Sequence, residues 1–238
     1  MQSNELTSKL MNFGLTRQEA MIYQQLVVSG ECTGYEVAKE VGISRSNAYS
    51  SLTSLVDKGA VYLQSGNTNK YMAVEVSEFC GNRIRSLEND KKDLEDNLKV
   101  KEDTEGYVTI FGYKNIHDKI ENMLSNVEQR VYISLGSDKL LLFKNFLEKL
   151  IGDKKKVVII TDKNPELEDC SVYISDSLME NQIRLIVDSK YVLTGDFEEN
   201  QNSTCLYSGQ KNFVSLFKDA MRNEIELINL RSGKKNEN

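Results

Sequence analysis

Short hydrogen-bonding side chains and one arginine follow a glycine turn at residue 42, and their types suit the recognition of nucleic acid. When such side chains project from the first turns of a helix, they can reach base edges in the major groove of DNA. Asn47 is the strongest candidate for reading a base, whereas the long side chain of Arg45 is better placed to reach a phosphate. The candidate DNA contacts on this helix are Ser44, Arg45, Ser46, Asn47, Ser50 and Ser54.

The helix that carries these side chains is predicted to begin after a cap at Ser44 and to run to about Lys58, where Gly59 stops it. A helical wheel places the apolar residues on one stripe and the serines on the opposite face. The apolar stripe consists of Ala48, Leu52, Leu55 and Val56. A serine-rich face is also typical of any solvated helix, so the neighbouring elements must decide between the two interpretations.

Two capping boxes precede this helix. In Thr16-Arg-Gln-Glu19 and Thr33-Gly-Tyr-Glu36, the threonine and the glutamate can each satisfy a free backbone amide of the other, which marks the start of a helix. The second of these helices is short, because Gly42 ends it. Helix, glycine turn and helix together predict a helix-turn-helix.

A hairpin is predicted to follow the third helix. Residues 60–63 and 70–74 have the character of strands, and Gly66-Asn67 suits a tight turn within the connection at 64–67. Such a hairpin would be the wing of a winged helix and favours DNA binding over a merely solvated helical face. Its candidate DNA contacts are Asn67, Asn69 and Lys70.

The chain is acidic overall, but the predicted recognition helix and wing are locally positive. The 30 basic and 36 acidic residues give a net charge of −6, which argues against a nonspecific nucleic-acid coat protein. Residues 1–78 carry six basic and eight acidic residues, but residues 44–70 carry three basic residues and one acidic residue. A sequence-specific DNA-binding domain and a winged helix that binds protein instead of DNA both remain open.

The same residues carry a family resemblance. Phe13-Gly14-Leu15-Thr16, Gly42-Ile43-Ser44 and Leu55-Val56-Asp57-Lys58-Gly59 resemble the winged helix of TrmB-like transcriptional regulators, over about residues 6–76. The resemblance implies a transcriptional regulator whose partner is a double-stranded DNA operator. It also implies a small-molecule effector, with sugars as the class known among relatives.

A charged helical segment follows the winged helix. Ile84, Leu87, Lys91, Leu94, Leu98 and Lys101 recur in steps of three and four, which is typical of a short coiled coil. We expect a homodimer joined at least partly through Ile84, Leu87, Leu94 and Leu98. The alternative is a single amphipathic helix that lies on its own domain.

The rest of the chain has the pattern of an α/β domain. β-Branched runs at 107–111, 131–135, 157–160 and 183–193 alternate with amphipathic stretches. The overall class is therefore α+β, with three parts. We predict a winged helix-turn-helix at 1–78, a helical linker at 79–105 and an α/β domain at 106–238.

This last part resembles the phospholipase D-like fold that TrmB-like regulators use as an effector or dimerisation module. Active members of that superfamily carry a motif of histidine, lysine, aspartate and glycine, and alignment on Asp188 and Gly195 places Asn181 and Ile183 at the histidine and lysine positions. Phosphodiester transfer there needs a histidine nucleophile and a lysine that holds phosphate. The sequence therefore predicts a catalytically inactive domain, with a phosphodiesterase or nuclease as the alternative.

Other classes of site have little support in the sequence. His117, the only histidine, is followed at the aspartate position of that motif by Leu124 and is predicted to be an exposed helical residue. The four cysteines are too far apart for a zinc or redox motif, and no cofactor or metal motif is recognisable. Because the chain has neither a membrane-spanning run nor a secretion signal, we expect no membrane contact and a cytoplasmic location.

Overall fold

The computed structural model describes residues 2–98, 106–179, 181–200 and 202–235. It divides after residue 100 into two compact units, called here the amino-terminal unit and the carboxy-terminal unit. Residues 99–105, which include the end of the predicted linker and Lys101, lie outside the described residues. Within the described ranges, no helix combines the length and the apolar character needed to cross a membrane.

The amino-terminal unit begins with four helices that lead into the wing. Both predicted capping boxes are confirmed, since Thr16 and Glu19 cap one helix and Thr33 and Glu36 cap the next. Gly42 adopts the left-handed conformation that the predicted turn requires, with φ of 73°. The helices of this unit are α1 (Gln2–Asn12), α2 (Arg17–Ser29), α3 (Gly34–Val41), α4 (Arg45–Asp57) and α5 (Val76–Asn97).

Three antiparallel strands complete the winged helix. The strands are β1 (Cys32–Thr33), β2 (Val61–Gln64) and β3 (Lys70–Ala73), in the spatial order β1-β3-β2. The predicted tight turn at Gly66-Asn67 is wrong, because Gln64 pairs with Lys70 and leaves a five-residue loop at 65–69. Burial of Val61 and Tyr71 fixes this register, so the turn cannot shorten without moving one of them out of the core.

The first turns of α5 belong to the core of the amino-terminal unit. The ring of Phe79 is buried and lies 6.5 Å from the ring of Phe13 and 5.6 Å from that of Tyr23. The hydroxyl of Tyr23 donates a hydrogen bond of 2.7 Å to the carbonyl of Val74, immediately before the helix. The boundary predicted between residues 78 and 79 therefore falls inside a continuous helix that is anchored in the winged helix.

The carboxy-terminal unit is built on a seven-stranded sheet of order β4-β10-β9-β8-β5-β6-β7, in which β5, β6 and β7 run parallel. The strands are β4 (Tyr107–Phe111), β5 (Arg130–Ser134), β6 (Lys156–Thr161), β7 (Ser171–Ile174), β8 (Gln182–Val187), β9 (Tyr191–Asp196) and β10 (Thr204–Ser208). The helices are α6 (Tyr113–Ser125), α7 (Ser137–Leu140), α8 (Lys144–Gly152) and α9 (Lys211–Lys235).

The apolar run at 183–193 is two strands rather than one. Asp188 and Ser189 both have positive φ, and the N–H of Lys190 donates a 2.9 Å hydrogen bond to the carbonyl of Val187. This turn joins β8 to β9 as a hairpin. Because both strands are apolar up to the turn, periodicity alone does not reveal the reversal.

Helices cover the two faces of the seven-stranded sheet with separate cores. One core includes Ile116, Phe143 and Ile183, beneath α6 and α8. The other includes Ile186 and Met221, beneath α9. The α+β class predicted from the sequence is confirmed.

A buried carboxylate joins the start of α2 to the end of α4. Glu19 accepts a hydrogen bond of 2.6 Å from the backbone N–H of Thr16 and forms a salt bridge of 2.6 Å with Lys58. Lys58 also donates to the carbonyl of Gly14. Burial alone would raise the pKa of Glu19, but hydrogen bonds from Lys58, Ser54 and the Thr16 N–H outweigh it and hold that pKa at about 2.

This arrangement predicts acid sensitivity of the amino-terminal unit. The pKa of Glu19 lies near 4.5 when it is free in the unfolded chain and at about 2 in the fold, so its contribution to stability is lost as pH falls from about 4.5 towards 2. Glu19→Gln should lower the free energy of unfolding at pH 7 by about 2–4 kcal/mol and remove this part of the pH dependence.

Denaturant unfolding at pH 7, 4 and 3 measures both effects. Glu5→Gln is the matched control, because the side chain of Glu5 is exposed on α1 and pairs with Lys9 one turn away. The account of Glu19 fails if the Glu19→Gln variant loses stability with falling pH as steeply as the unsubstituted protein.

Candidate nucleic-acid interface

The start of α4 is built by a side-chain cap. Ser44 has extended backbone geometry, and its hydroxyl accepts a hydrogen bond of 3.2 Å from the backbone N–H of Asn47. The preceding turn is closed by the N–H of Ile43, which donates to the carbonyl of Ala38. Because the cap uses the Asn47 backbone, the Asn47 side chain remains available for other contacts.

Packing of α4 turns its predicted recognition face outward. Ala48, Leu52 and Leu55 are fully buried, and Ser51 is buried with its hydroxyl 3.3 Å from the side-chain oxygen of Gln18. Val56 is half-buried. The predicted contacts that are exposed on the opposite side are Ser44, Arg45, Ser46, Asn47 and Ser50.

Ser54 is less exposed than this group, and its role as a DNA contact stays a prediction. Its side chain is half-buried and hydrogen-bonds with the carboxylate of Glu19. Ser54 stands two turns beyond Ser46, where the wheel has rotated it towards α2. It helps to position α4.

Two tyrosines that the sequence analysis did not select lie beside the start of α4. The guanidinium carbon of Arg45 is 4.4 Å from the centre of the exposed Tyr35 ring, a cation–π geometry that limits where the arginine can point. The ring of Tyr49 fills the space beside Gly34, since a Cβ at position 34 would lie 2.5 Å from a carbon of that ring. Gly34 thus allows α3 and α4 to approach.

The wing presents fewer free charges than predicted. Asn67 and Asn69 lie exposed in the loop at 65–69. Lys70 is exposed at the base of this loop, but its ammonium group forms a salt bridge of 3.1 Å with Glu31, a residue that the sequence analysis did not select. Glu31 directly precedes β1, the strand that pairs with β3 and brings the two charges together.

The linker helix leaves its predicted seam uncovered within the amino-terminal unit. Ile84, Leu87 and Leu94 on α5, and Leu98 just after its end, are all about half exposed or more. Lys91, in the middle of the seam, forms an exposed salt bridge of 3.4 Å with Glu95. A helix with this pattern can bury its leucines against a similar helix.

In the carboxy-terminal unit, the positions aligned with the phospholipase D-like motif have structural roles. Ile183 is fully buried in the core, and the side-chain oxygen of Asn181 accepts a hydrogen bond from Lys139. Asp188 accepts hydrogen bonds from three consecutive backbone N–H groups at 128–130. A Cβ at Gly195 would lie 2.2 Å from a backbone oxygen of β10.

The residues at these four positions stabilise the fold around the β8–β9 hairpin. Burial alone would raise the pKa of Asp188, but the backbone hydrogen bonds and nearby Lys190 lower it, so the carboxylate stays ionised within the turn. The alkyl group of Ile183 cannot hold phosphate, and the amide of Asn181 is a poor nucleophile.

His117 lies on α6 and is less exposed than predicted. Its ring packs 5.1 Å from the ring of Phe143 and 6.3 Å from that of Phe197. Among the described residues, only His117, Asp118 and Glu121 bring potential metal ligands within 4.8 Å of one another. His117 and Glu121 are one helical turn apart, a common spacing for an ordinary side-chain pair.

Comparison with known proteins supports the winged-helix interpretation. Residues 10–77 match the family described as sugar-specific transcriptional regulator TrmB. YrhO of Bacillus subtilis (strain 168) is 28% identical over 195 residues, covering 80% of this chain and 70% of YrhO. The sugar-sensing transcriptional regulator TrmBL1 of Pyrococcus furiosus is 26% identical over 170 residues, covering 69% of this chain. That alignment spans about half of TrmBL1, at 49% of its length.

Two solved structures align with this chain at low sequence identity. The archaeal chromatin protein TrmBL2 aligns with 95% of this chain and 99% of its own, with 22% identity and a TM-score of 0.44. The phospholipase D family member Nuc of Salmonella typhimurium aligns with 50% of this chain and 93% of its own, with 11% identity and a TM-score of 0.35. The family match at residues 10–77 and the relationship to TrmBL1 show that this chain is similar to TrmB-like transcriptional regulators.

Proposed function

We propose that the protein is a homodimeric regulator that recognises a specific double-stranded DNA operator with the first turns of α4 and the wing. The observation that carries the proposal is the outward face of α4, where Arg45, Ser46, Asn47 and Ser50 are exposed while the opposite stripe is buried. A helix docked through its amino-terminal residues presents such side chains to the major groove.

Each part of this surface has its own role. Asn47 is the base reader, since an asparagine amide can donate to and accept from the edge of an adenine. Arg45, held over Tyr35, contacts a phosphate. Ser44, Ser46 and Ser50 fit the groove wall, and Asn67, Asn69 and Lys70 contact the DNA backbone beside the wing.

Two copies are needed for tight binding. One winged helix has few basic groups on this face, and Lys70 is already paired with Glu31. A homodimer joined through the α5 seam doubles the contacts and places two recognition helices about 34–36 Å apart, or a multiple of that distance, on an inverted-repeat operator. The exposed leucines of α5 support this arrangement.

The carboxy-terminal unit is proposed to be a catalytically inactive phospholipase D-like module that senses a small molecule. Asn181 and Ile183 stand where a nucleophile and a phosphate-binding lysine would be required. The relatives named for sugar sensing favour a sugar as the effector. On this account the unit transmits the presence of its ligand to the dimer and performs no hydrolysis.

A second candidate is a winged helix that binds protein rather than DNA. The acidic excess of residues 1–78 and the pairing of Lys70 with Glu31 favour it. Salt separates the two functions, because binding to phosphates weakens steeply as salt concentration rises. An operator selected from random DNA, followed by titration at several salt concentrations, therefore tests the proposed function.

Asn47→Ala should weaken binding to the selected operator by about 1–3 kcal/mol and relax the preference at one base pair. The helix cap should survive, because it uses the Asn47 backbone. Thr53→Ala is the matched control on the same helix, since its hydroxyl bonds to the carbonyl of Tyr49. Equal operator affinity for Asn47→Ala and the unsubstituted protein rules out this docking.

Glu31→Gln should strengthen binding to operator and scrambled DNA alike, because it releases Lys70 from its salt bridge. The slope of log affinity against log salt should steepen by about one released ion per winged helix. In the Glu31→Gln/Lys70→Gln double variant this gain should vanish. A gain that persists without Lys70 would contradict a phosphate contact by that lysine.

Leu87→Asp combined with Leu94→Asp should lower dimer affinity and operator affinity in parallel. The reason is that the two introduced carboxylates would lose their hydration when the seam closes. Ser86→Asp combined with Asn89→Asp adds the same charge to other exposed positions of α5 and should leave both affinities nearly unchanged. Sedimentation and fluorescence anisotropy measure the two quantities. Unaltered operator binding by the leucine variant removes the linker from the mechanism.

A further inference from the structure

The outer face of α9 carries a second apolar stripe. The inner face of this helix packs on the sheet through Val214 and Met221. On the outer face, Leu216, Leu227 and Leu230 are 64%, 53% and 65% exposed. Ala220 and Asn223, which are also exposed, complete a series in which successive positions differ by four, three, four and three residues.

That spacing is the repeat of a coiled-coil seam. Alternating steps of three and four keep side chains on one narrow line of a helix, where they can interlock with an identical line on a partner. Asn223 is the one polar residue of this series and stands at a d position of the heptad. Within the described residues, no element covers this line.

The charges beside the seam indicate what covers it. Glu226 borders one side of the stripe and Arg231 borders the other, five residues further on. In two parallel helices these are the positions that face each other across the seam. Neither residue has an ion pair among the described residues, and both are exposed. A second copy of α9 in parallel supplies each with its opposite charge.

We propose that the outer face of α9 is an interface for the same helix of a second copy, packed in parallel, with Glu226 of each copy beside the partner's Arg231. This inference rests on the proposed homodimer and adds a contact distinct from α5. Each seam covers about two heptads, fewer than the three to four that make a confident coiled coil. Two such seams together offer a firmer dimer than either alone.

An antiparallel pairing fits the charges less well. It would bring Glu226 towards the partner's Asp219, which repels it. It would also bring Arg231 towards the partner's Glu224, which is already paired with Arg184. In the parallel pairing, Asp219 faces the partner's Glu224 instead. This contact is less unfavourable, because Glu224 forms a 2.7 Å salt bridge with Arg184 and Asp219 one of 3.3 Å with Arg222.

Charge exchange in the full-length protein tests the parallel interface. Glu226→Arg and Arg231→Glu should each raise the dimer dissociation constant about 5–10-fold, because each replaces two attractive contacts by two repulsive ones. The double exchange should return it to within about twofold of the original value. An equimolar mixture of the two single variants should form mostly mixed dimers, measured by fluorescence transfer and sedimentation.

The possible outcomes separate this inference from the proposed function. Tighter dimers with Glu226→Arg would indicate the antiparallel arrangement and overturn the parallel one. No effect of any charge variant, when the leucine variant of α5 dissociates the protein, rejects the α9 interface and keeps the homodimer. A monomer at all micromolar concentrations rejects both. Circular dichroism checks that these exposed substitutions leave the fold intact.

Discussion

The position of the recognition helix depends on one buried carboxylate. Glu19 receives the Thr16 N–H at the start of α2 and the ammonium group of Lys58 just after the end of α4. Ser54 adds a third hydrogen bond from within α4. An unpaired charge at this depth would be strongly unfavourable, so the two helices can adopt only an arrangement that satisfies it. Together with the buried stripe of α4, this contact keeps the exposed face of the helix outward.

Positive charge is sparse on the surface that is proposed to bind DNA. Arg45 is held by a tyrosine face and Lys70 by a carboxylate, so neither is a freely moving cation. Ordered side chains lose less conformational entropy on binding than free ones do. In the proposed function such a surface relies on correct placement and on two copies, whereas a strongly basic surface binds any DNA.

Local signals in the sequence predicted the helix-turn-helix correctly. Thr16, Thr33 and Ser44 each cap a helix by accepting a hydrogen bond from the backbone N–H three residues further on. Gly42 supplies a left-handed conformation that few other residues adopt. What the sequence could not reveal depends on residues far apart in the chain. Glu31 meets Lys70 across 39 positions, and Ser54 meets Glu19 only after α2 and α4 have packed.

Apolar patterns predicted the buried faces of helices and strands better than the residues at which these elements begin and end. The apolar run at 183–193 forms a hairpin, which its pattern does not reveal because only a few turn residues separate the two apolar strands. The beginning of α5 was missed, because Phe79 serves the winged-helix core while the residues beyond it serve the linker. Asp188 and Gly195 are the two positions that match the phospholipase D-like motif, and a turn and a close backbone approach account for both residues.

Hydrogen exchange of the full-length protein, with and without a selected operator, tests the central claim most directly. The account predicts added protection at the backbone amides of residues 45–50 and in the wing loop at 65–69, with little change along the outer face of α2. Protection confined to the carboxy-terminal unit, or absent from the first turns of α4, would contradict it.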